Sequence, residues 1–279
     1  MALNITPVTN HREREKGVLV YPVYSRRSGG LSVGINLYPD KKSCAYNCPY
    51  CEVFPFLNNA GFSLNQTEED LNSVILSAQK QNIPVKDICF SGNGEPTLSP
   101  AFENAFNLAA RIRTDLTPSA ELVVITNGTG LQQQHIFSFL KDVASIPSVD
   151  IWLKLDAGTP DWHQKINRSS IAHEEIIKKI KEFTSCAVVT IQTMLCAINN
   201  EPPPETERKA WEALVCDLAS SETGRKGGIR KVQLYGKARS APEDPLASQL
   251  PAEYLESRAG SLRNAFKEKG IQIPINIYY

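Results

Sequence analysis

Short apolar runs alternate with amphipathic segments along most of the chain. The apolar runs are rich in valine and isoleucine and are bounded by polar or turn-forming residues, a pattern typical of β-strands. We predict seven strands, at Leu31–Tyr38, Asp87–Phe90, Glu121–Thr126, Val149–Leu155, Ala187–Leu195, Ile229–Tyr235 and Ile271–Tyr278. The last run contains Pro274, which has no N–H to donate to a neighbouring strand, so we place this strand at an edge of the sheet.

The segments between the strands carry apolar residues at the three- and four-residue spacing of helices. The first helix is predicted to begin at Thr67, whose hydroxyl can cap the acidic turn that follows. Further helices are predicted around Pro100–Arg113, Leu131–Lys141, Ile176–Phe183, Trp211–Leu218 and Ala252–Lys269. Six strand–helix units and a closing strand indicate parallel strands with right-handed crossovers, in either an open doubly wound sheet or a barrel.

The strand with the sequence VDIWLKLDA favours the barrel. Its apolar residues alternate with more polar ones, among them Lys154 and Asp156. A parallel strand covered by helices on both faces is normally apolar throughout, so a polar face indicates an interior that holds a ligand. The pattern recurs on the next two strands, at Thr190, Gln192, Lys231, Gln233 and Tyr235. We therefore predict an α/β fold, a partial (β/α)6 barrel of parallel strands with an additional C-terminal edge strand.

Length and composition fit one large domain. With 279 residues, 42% of them hydrophobic, the chain can bury a full core. We predict a single domain over residues 1–279, with an N-terminal extension (1–30), a barrel core (31–236) and a C-terminal helix and strand (237–279). The 30 basic and 30 acidic residues balance, so no net charge attracts the chain to polyanions. We find no secretion signal and no run near the ~18 apolar residues of a membrane span, and therefore expect a cytoplasmic protein without membrane association.

Three of the seven cysteines lie together in the loop CAYNCPYC, at Cys44, Cys48 and Cys51. The loop follows the first predicted strand, at the end where parallel sheets place their sites. A structural zinc ion would need a fourth cysteine or a histidine nearby, and disulfides cannot use three thiols. Three thiolates can hold three corners of a four-iron cluster and leave one iron without a protein ligand. The remaining alternative is three incidental loop cysteines.

The C-x3-C-x2-C spacing, with an aromatic residue before the last cysteine, resembles the radical S-adenosylmethionine (radical SAM) superfamily. The resemblance implies that Cys44, Cys48 and Cys51 bind a 4Fe-4S cluster and that Tyr50 lies near the adenine of S-adenosylmethionine. It also implies the reaction: S-adenosylmethionine chelates the open iron and is cleaved reductively, and the resulting 5′-deoxyadenosyl radical abstracts hydrogen from a substrate.

The second strand ends in SGNGEPT, which is similar to the Gly-Gly-Glu-Pro stretch of that superfamily. The resemblance implies that this stretch binds the methionyl amino group, with Glu95 offering a carboxylate to the ammonium. An ordinary strand–helix turn is the alternative. The implied cofactor contacts are Gly92, Asn93, Gly94, Glu95 and Pro96, with Asn93 where the family often has its first glycine.

Polar residues at the ends of later strands extend the implied cofactor site. Asn127 follows the third strand and contacts the cofactor or caps its own turn. Lys154 and Asp156 on the fourth strand match polar residues that contact the ribose and carboxylate of S-adenosylmethionine, or they form a structural ion pair. Gln192 on the fifth strand is an adenine-side candidate, although that strand lacks the glycines of some relatives.

The substrate side of the site has weaker candidates. The stretch VQLYGKAR at the sixth strand brings Tyr235, Lys237 and Arg239 to the lumen or its rim, unless it forms a solvated charged loop. His163 follows the fourth strand and Cys196 ends the fifth, and either could meet substrate.

The segment from Tyr21 to Asn36 is similar, together with the cysteine loop and SGNGEPTL, to the wyosine-synthase-like branch, which modifies a guanosine in transfer RNA. The chain lacks the further N-terminal cysteines of that branch and carries no net positive charge for binding RNA. Arg26 and Arg27 could hold an anionic substrate or the cofactor carboxylate, or cover the base of the barrel.

We therefore expect a radical SAM enzyme with a 4Fe-4S cluster and S-adenosylmethionine, acting on a small molecule and supplied with electrons by a flavodoxin- or ferredoxin-type donor. One alternative is radical SAM modification of transfer RNA, a peptide or a protein. A second alternative is a non-enzymatic iron–sulfur sensor or electron carrier, although carriers normally close the cluster with four cysteines.

Overall fold

The computed structural model describes residues 17–53, 55–220, 227–239, 241, 244 and 246–279. The first sixteen residues of the predicted N-terminal extension, His11 among them, lie outside the described residues. The described residues form two compact units. The first unit contains the residues up to 44, those from 53 to 126 and those from 146 to 150; the second contains 45–52, 127–145 and the residues from 151 onward.

Nine strands and seven helices, counted over the described residues, are numbered in chain order. They are β1 (Val20–Ser25), β2 (Gly30–Ile35), α1 (Leu64–Lys80), β3 (Val85–Phe90), α2 (Phe102–Leu116), β4 (Glu121–Thr126), α3 (Gln134–Val143), β5 (Val149–Lys154), α4 (Pro160–Ile166), α5 (His173–Thr184), β6 (Val188–Ile198), α6 (Glu205–Ala219), β7 (Gly228–Gly236), β8 (Ala247–Gln249), α7 (Ala252–Glu268) and β9 (Ile275–Tyr278).

In the first unit, β2, β3 and β4 are parallel neighbours in sequence order, and β1 pairs antiparallel with β2. The core includes an aromatic group that joins β3 to α2. Phe90 meets Phe102 edge to face, with ring centroids 5.5 Å apart, and stacks on Phe106 at 5.7 Å. These three side chains are almost fully buried, so they fix α2 against the strand that precedes the SGNGEPT turn.

In the second unit, β5, β6, β7 and β9 are parallel neighbours, and β8 pairs antiparallel with the end of β6. Of the polar positions predicted to face the interior, Thr190, Gln192 and Gln233 have no exposed surface, whereas Lys231 and Tyr235 are partly exposed. Gln192 donates a hydrogen bond from its amide to Gln233 Oε1 at 2.6 Å, across the β6–β7 pair. The fold class is the α/β partial barrel of mostly parallel strands predicted from the sequence, whereas the single domain stays a prediction.

The predicted start of the first helix is wrong by one turn. The N-cap is Ser63, whose hydroxyl accepts a hydrogen bond from the backbone N–H of Gln66 at 3.2 Å. Thr67 lies inside α1, and its hydroxyl donates to the carbonyl of Ser63 at 2.8 Å. Both residues carry a hydroxyl suited to capping, and the earlier one begins the helix.

The strand boundaries show a second group of differences. The predicted Glu121–Thr126 matches β4, whereas the predicted Ile271–Tyr278 is shortened to β9. Before β9, Pro274 has no N–H and takes part only through its carbonyl, which accepts from the N–H of Val232 at 2.9 Å. Among the described strands β9 pairs only with β7, which confirms its edge position. Three short elements, β1, α4 and β8, were not predicted.

No helix in the described part of the chain is both long enough and apolar enough to cross a membrane.

A buried glutamate on α6 fixes the loop that follows β5. Glu207 is 3% exposed and accepts hydrogen bonds from the N–H of Gly158 at 2.6 Å and from the hydroxyl of Thr159 at 2.5 Å. A Cβ at Gly158 would overlap the backbone of Trp211, so only glycine allows this approach. Burial raises the pKa of Glu207, and its hydrogen bonds oppose the shift.

This buried carboxyl predicts a pH effect on stability. Because the folded state binds the Glu207 proton more tightly than the unfolded state, its contribution to the free energy of unfolding falls as pH rises from the ordinary pKa through the raised one. We expect Glu207→Gln, which cannot titrate, to gain stability relative to the wild type in urea unfolding as the pH is raised above about 4.5, the ordinary pKa of a glutamate. Glu175→Gln, at an exposed position on α5, is the control, and an equal change in both variants would contradict the prediction.

Candidate functional site

All seven cysteines lie in the described residues, and none of them forms a disulfide. Cys44 is exposed at the end of a first-unit loop, and Cys48 and Cys51 are partly buried in the second unit. The N–H of Cys51 donates to the carbonyl of Cys48 at 3.0 Å, so the C-x2-C part of the motif is a tight turn. In the described part of the chain, no three His, Cys, Asp or Glu side chains are placed to hold a single metal ion.

Asn167, the C-cap of α4, anchors the loop that carries Cys48. Its carbonyl accepts from the N–H of Asn47 at 2.9 Å, and its side-chain amide lies 3.6 Å from the Cys48 sulfur, as an N–H···S donor. Burial, and next the Asp156 carboxylate, raise the pKa of Cys48 to about 11. Cys48 is therefore a protonated thiol at neutral pH.

Asp156, just beyond the end of β5, gathers four hydrogen-bond donors. Its Oδ1 accepts from the N–H of Met194 at 2.9 Å and from the Lys154 ammonium at 3.0 Å. Its Oδ2 accepts from the amide of Asn167 at 3.2 Å and from the hydroxyl of Tyr50. Its side chain is 1% exposed, and four donors fill the acceptor sites of a carboxylate. Asp156 therefore ties β5, β6, α4 and the cysteine loop together.

Lys154 is held on the same side of β5. Besides the ion pair with Asp156, its ammonium donates to the hydroxyl of Tyr235 and lies 4.9 Å and 4.8 Å from the ring centroids of Tyr50 and Tyr235. Burial alone would lower the pKa of Lys154, but Asp156 and Tyr235 outweigh it and raise the pKa. Lys154 therefore stays charged, and the structural ion pair considered from the sequence is present.

Tyr50 stays neutral in this arrangement. Burial, and next the Asp156 carboxylate, raise the pKa of Tyr50 well above its usual range. Tyr50 therefore keeps its proton and donates it in the hydrogen bond to Asp156, which fixes the ring next to Cys51.

The SGNGEPT turn pairs with the residue before Cys44. The N–H of Ser43 donates to the carbonyl of Asn93 at 2.9 Å, and the N–H of Glu95 donates back to the carbonyl of Ser43 at 2.8 Å. A Cβ at Gly94 would overlap that Ser43 carbonyl. Gly94 is therefore required for the turn to dock on the start of the cysteine loop.

Asn93 has a role of its own where the family often has glycine. Its N–H donates to Asn36 Oδ1 at 3.1 Å, and its side-chain amide donates to the carbonyl of Tyr38 at 3.0 Å. Gly92 has φ +126, and a Cβ there would lie 2.7 Å from Asn36 Oδ1. Asn93 therefore fastens the turn to the segment that leads from β2 to Cys44.

Glu95 is buried and held in a fixed orientation. Its Oε1 accepts from the N–H of Thr97 at 3.2 Å and from the hydroxyls of Thr97 and Thr126, each at 2.6 Å. Pro96 opens the short 3-10 turn Pro96–Leu98 directly after it. The carboxylate is thus oriented by β4 and by its own turn, as a group that receives a ligand needs to be.

Asn127 caps a turn, one of the two roles considered from the sequence. Its Oδ1 accepts from the N–H of Thr129 at 3.0 Å and from the hydroxyl of Thr129 at 2.7 Å, and Gly128 between them has φ +80. Gln192 is held in the cross-strand amide pair with Gln233. The cofactor roles of Asn127 and Gln192 stay predictions.

The end of β7 carries three candidate side chains. Tyr235 is bonded to Lys154, and Arg239 lies 2.9 Å from the carboxylate of Glu52, next to Cys51 in sequence. Lys237, directly after β7, is 8% exposed. The Arg239 side chain is 36% exposed, and the reach of Lys237 and Arg239 to the lumen or its rim stays a prediction.

His163 and Cys196 are both buried. The edge of Tyr46 meets the His163 ring at a centroid distance of 5.5 Å, and the His173 ring lies 5.3 Å away. Cys196 packs in an apolar cluster with Met194, and burial raises the pKa of its thiol to about 12.

Arg26 and Arg27 lie in the turn that enters β2, whereas the cysteine loop leaves from the opposite end of that strand. Asp87, a buried carboxyl at the start of β3 bonded to Ser32, is within electrostatic reach of Arg27. This position agrees with a role in covering the base of the strands.

Sequence reasoning missed Asn167, Thr97, Thr126 and Asn36. Asn167 lies more than one hundred residues from Cys48 and belongs to no recognised spacing, so only the folded structure brings them together. Thr97 was inside the quoted motif, but nothing in the motif indicated that its hydroxyl would hold Glu95.

Comparisons with known proteins identify the family of the chain. The sequence profile of the radical SAM superfamily matches residues 40–209, more than half of the chain. The chain therefore belongs to the radical SAM superfamily, and it is an enzyme of the radical SAM class.

The individual proteins that match this chain have low sequence identity to it. A UPF0026 protein of Helicobacter pylori is 31% identical over 127 residues, which are 43% of this chain and 38% of that protein, so the chain spans well under half the length of that relative. A radical SAM methyltransferase from Sphaerobacter thermophilus has a TM-score of 0.62 at 15% identity, covering 93% of this chain and 69% of that one. The wyosine synthase TYW1, with a lysine-pyruvate adduct bound, has a TM-score of 0.51 at 15% identity, covering 84% and 73%. The resemblance to the radical SAM superfamily is confirmed, and the two solved structures share the fold.

The docking of Gly94 on Ser43 predicts a stability effect. Gly94→Ala should lower the free energy of unfolding by ~1–3 kcal/mol, because the added methyl group must displace backbone. Gly260→Ala, on α7 where a Cβ meets nothing within 4 Å, should instead raise it by ~0.5–1 kcal/mol. Urea unfolding of both variants measures the difference, and a Gly94→Ala protein as stable as the wild type would contradict the observed docking.

Proposed function

We propose that Cys44, Cys48 and Cys51 hold a 4Fe-4S cluster, and that the protein uses it with S-adenosylmethionine to abstract hydrogen from a small-molecule substrate. The observation that carries the proposal is the C-x3-C-x2-C loop inside the residues that match the superfamily. When bound, the cluster supplies the electron that cleaves S-adenosylmethionine to methionine and a 5′-deoxyadenosyl radical.

The side chains around the cysteines fit an iron–sulfur cluster. None of the three cysteines forms a disulfide, and Cys48 lies on a tight turn where its sulfur receives an N–H donor from Asn167. Hydrogen bonds to cluster sulfurs are a main means by which proteins set reduction potentials. The buried carboxylate of Asp156 accepts from the same amide, so it fixes the direction of that donor.

The cofactor contacts proposed in the first unit are Gly92, Asn93, Gly94, Glu95 and Pro96. Glu95 would receive the methionyl ammonium, and its fixed orientation supports this role because a preset carboxylate needs no reorganisation on binding. Gly94 and Asn93 would act through the backbone that they pair with Ser43.

The cofactor contacts proposed in the second unit are Tyr50, Asn127, Lys154, Asp156 and Gln192. Tyr50 would lie near the adenine, with its ring fixed by Asp156 and by the Lys154 ammonium. Because Asp156 already accepts from four donors, we assign it an orienting role on Tyr50 and Asn167.

A small molecule remains the proposed substrate, and a flavodoxin- or ferredoxin-type protein the proposed electron donor. The balanced charge of the chain supports a small molecule over RNA, since RNA binding draws on basic phosphate contacts. The position of Arg26 and Arg27 also supports a small molecule over RNA. These arginines lie in the turn before β2, at the end of that strand away from the cysteine loop.

Reconstitution tests the proposal. After anaerobic treatment with iron and sulfide, the wild type should bind about four irons per chain. With dithionite and S-adenosylmethionine it should then release 5′-deoxyadenosine, measured by chromatography. Cys48→Ala should lose this product, whereas Cys186→Ala, a partly buried cysteine outside the loop, should keep it. Equal product from the wild type and Cys48→Ala would refute the proposal.

Asn167 gives a second prediction. Asn167→Ala should keep the iron but shift the cluster to a more negative reduction potential, because the lost N–H donor no longer stabilises the added electron. Cleavage of S-adenosylmethionine should fall ~10–100-fold. A redox titration followed by electron paramagnetic resonance measures the potential, with Asn107→Ala, exposed on α2, as control. An unchanged potential would show that Asn167 acts only as a structural cap.

A further inference from the structure

Four side chains that end in N–H donors form one row across the sheet of the second unit. Lys154 on β5, Gln192 on β6, Gln233 on β7 and Asn276 on β9 are register partners in adjacent strands. Register partners in parallel strands project from the same face of the sheet. This face is turned away from α7, because a Cβ at Gly236, on the other face of β7, would lie 3.3 Å from a side chain of α7. We call these four side chains the donor row.

One member of the donor row has a buried donor without an acceptor. The Lys154 ammonium is paired with Asp156 at 3.0 Å, the amide of Gln192 donates to Gln233 Oε1 at 2.6 Å, and Asn276 is exposed. The amide nitrogen of Gln233 has no hydrogen-bond partner in the described part of the chain, although this residue is 0% exposed. Gln233 therefore uses its oxygen inside the protein and leaves its nitrogen unused.

An unpaired carboxamide is unfavourable at a buried position. Its N–H groups lose their hydrogen bonds to water on folding and gain none in return, and buried polar groups of native proteins are nearly always paired. A methionine at position 233 would have similar length and no unpaired donor. Departures from the local rules of stability are typical of functional positions. The unused nitrogen therefore marks Gln233 as a position at which a ligand supplies the acceptor.

Two long side chains flank Gln233 on its own face of the sheet. Lys231 and Tyr235, two residues before and after it, are both partly exposed. Both extend across β6 toward β5, since the Lys231 ammonium lies 5.8 Å from the ring centroid of Trp152 and the Tyr235 hydroxyl is bonded to Lys154. A ligand at this face therefore reaches the Gln233 amide by displacing side chains, with the strand backbones left in place.

The place of Gln233 in the donor row favours the substrate over the cofactor. Lys154 and Gln192, the proposed cofactor contacts of the row, lie on β5 and β6. Asn167, which donates to the sulfur of Cys48, is tied to the end of β5 through its bond to Asp156. Position 233 is one strand beyond Gln192 in the direction of β9. It therefore lies on the side of the row away from the anchor of the cysteine loop.

We propose that the carboxamide of Gln233 donates a hydrogen bond to a carbonyl oxygen of the substrate and thereby determines specificity. An uncharged donor fits an uncharged acceptor, because a buried carboxylate needs a cationic partner and the nearby Lys154 is already paired with Asp156. The substrate class is then a neutral carbonyl compound, such as an amide, a ketone or an ester. The inference rests on the proposed function, which supplies the radical that this compound would meet.

NMR of glutamine side-chain amides tests the proposal without a cluster or a known substrate. The full chain, with isotope-labelled glutamine, is titrated with N-methylacetamide as a neutral carbonyl probe and, separately, with acetate. The Gln233 signal, assigned by its absence from Gln233→Met, should move downfield and saturate with N-methylacetamide, since a hydrogen bond deshields the amide protons. Acetate should give no saturable shift. Gln272, exposed before β9, is the control and should not saturate with either probe.

The absence of a saturable shift of the Gln233 signal with N-methylacetamide would overturn the proposal. A saturable shift with acetate alone would overturn the substrate class, because the acceptor would be a carboxylate. If Gln233→Met does not fold, the wild-type titration still decides, since the contact between the side-chain amides of Gln192 and Gln233 assigns the signal. The readout does not require the cluster, so its failure is distinct from failure of the proposed radical chemistry.

A second measurement separates the substrate from the cofactor. Equilibrium dialysis compares S-adenosylmethionine binding to the reconstituted wild type and to Gln233→Met, with Gln272→Met as the matched control. Equal binding to all three is the expected result. A loss of roughly tenfold in Gln233→Met alone, the size expected for one hydrogen bond, would make Gln233 a cofactor contact and overturn its assignment to the substrate.

Discussion

The carboxylate of Asp156 is the interaction on which the second unit's part of the site depends. It accepts from a strand N–H, an ammonium, a phenol and an amide, and these donors come from four different segments. A buried charge of this kind is stable only when it is fully paired. Each partner is in turn fixed by the carboxylate, so the rigidity of Tyr50, and of the Asn167 donor to Cys48, follows from one electrostatic requirement.

The first unit solves the same problem with backbone geometry. Here the cysteine loop is held by two hydrogen bonds between Ser43 and the turn that contains Gly94, at a distance that excludes any side chain. Glycine in this motif therefore serves the packing of protein against protein, besides any approach of a ligand. Asn93 shows the same logic, since its amide reaches Tyr38, and a glycine there could not make that bond.

The parts of the fold that could be predicted are those with a local cause. The alternation of apolar runs with amphipathic segments predicts the main strands and helices. The two-residue alternation within VDIWLKLDA also predicts the polar face of that strand. The start of α1 was predicted one turn too late because Ser63 and Thr67 both carry a hydroxyl that can cap a helix. Which of the two begins the helix depends on how the helix packs. The seven-residue α4 and the three-residue β8 carry too few residues for a period to show, whereas β1 is as long as β2 but contains Pro22, which weakens a strand prediction.

In the candidate site, the sequence could indicate which residues matter but not how they are used. Cys48 and Asp156 were found from motif and strand position, whereas Asn167, which joins them, has no spacing signal at all. Polar contacts between distant segments are set by the folded backbone, so one chain read alone does not contain them. Lys154 shows the same limit: the sequence offered either a cofactor contact or an ion pair, and only the folded structure shows its ammonium 3.0 Å from the buried Asp156 carboxylate.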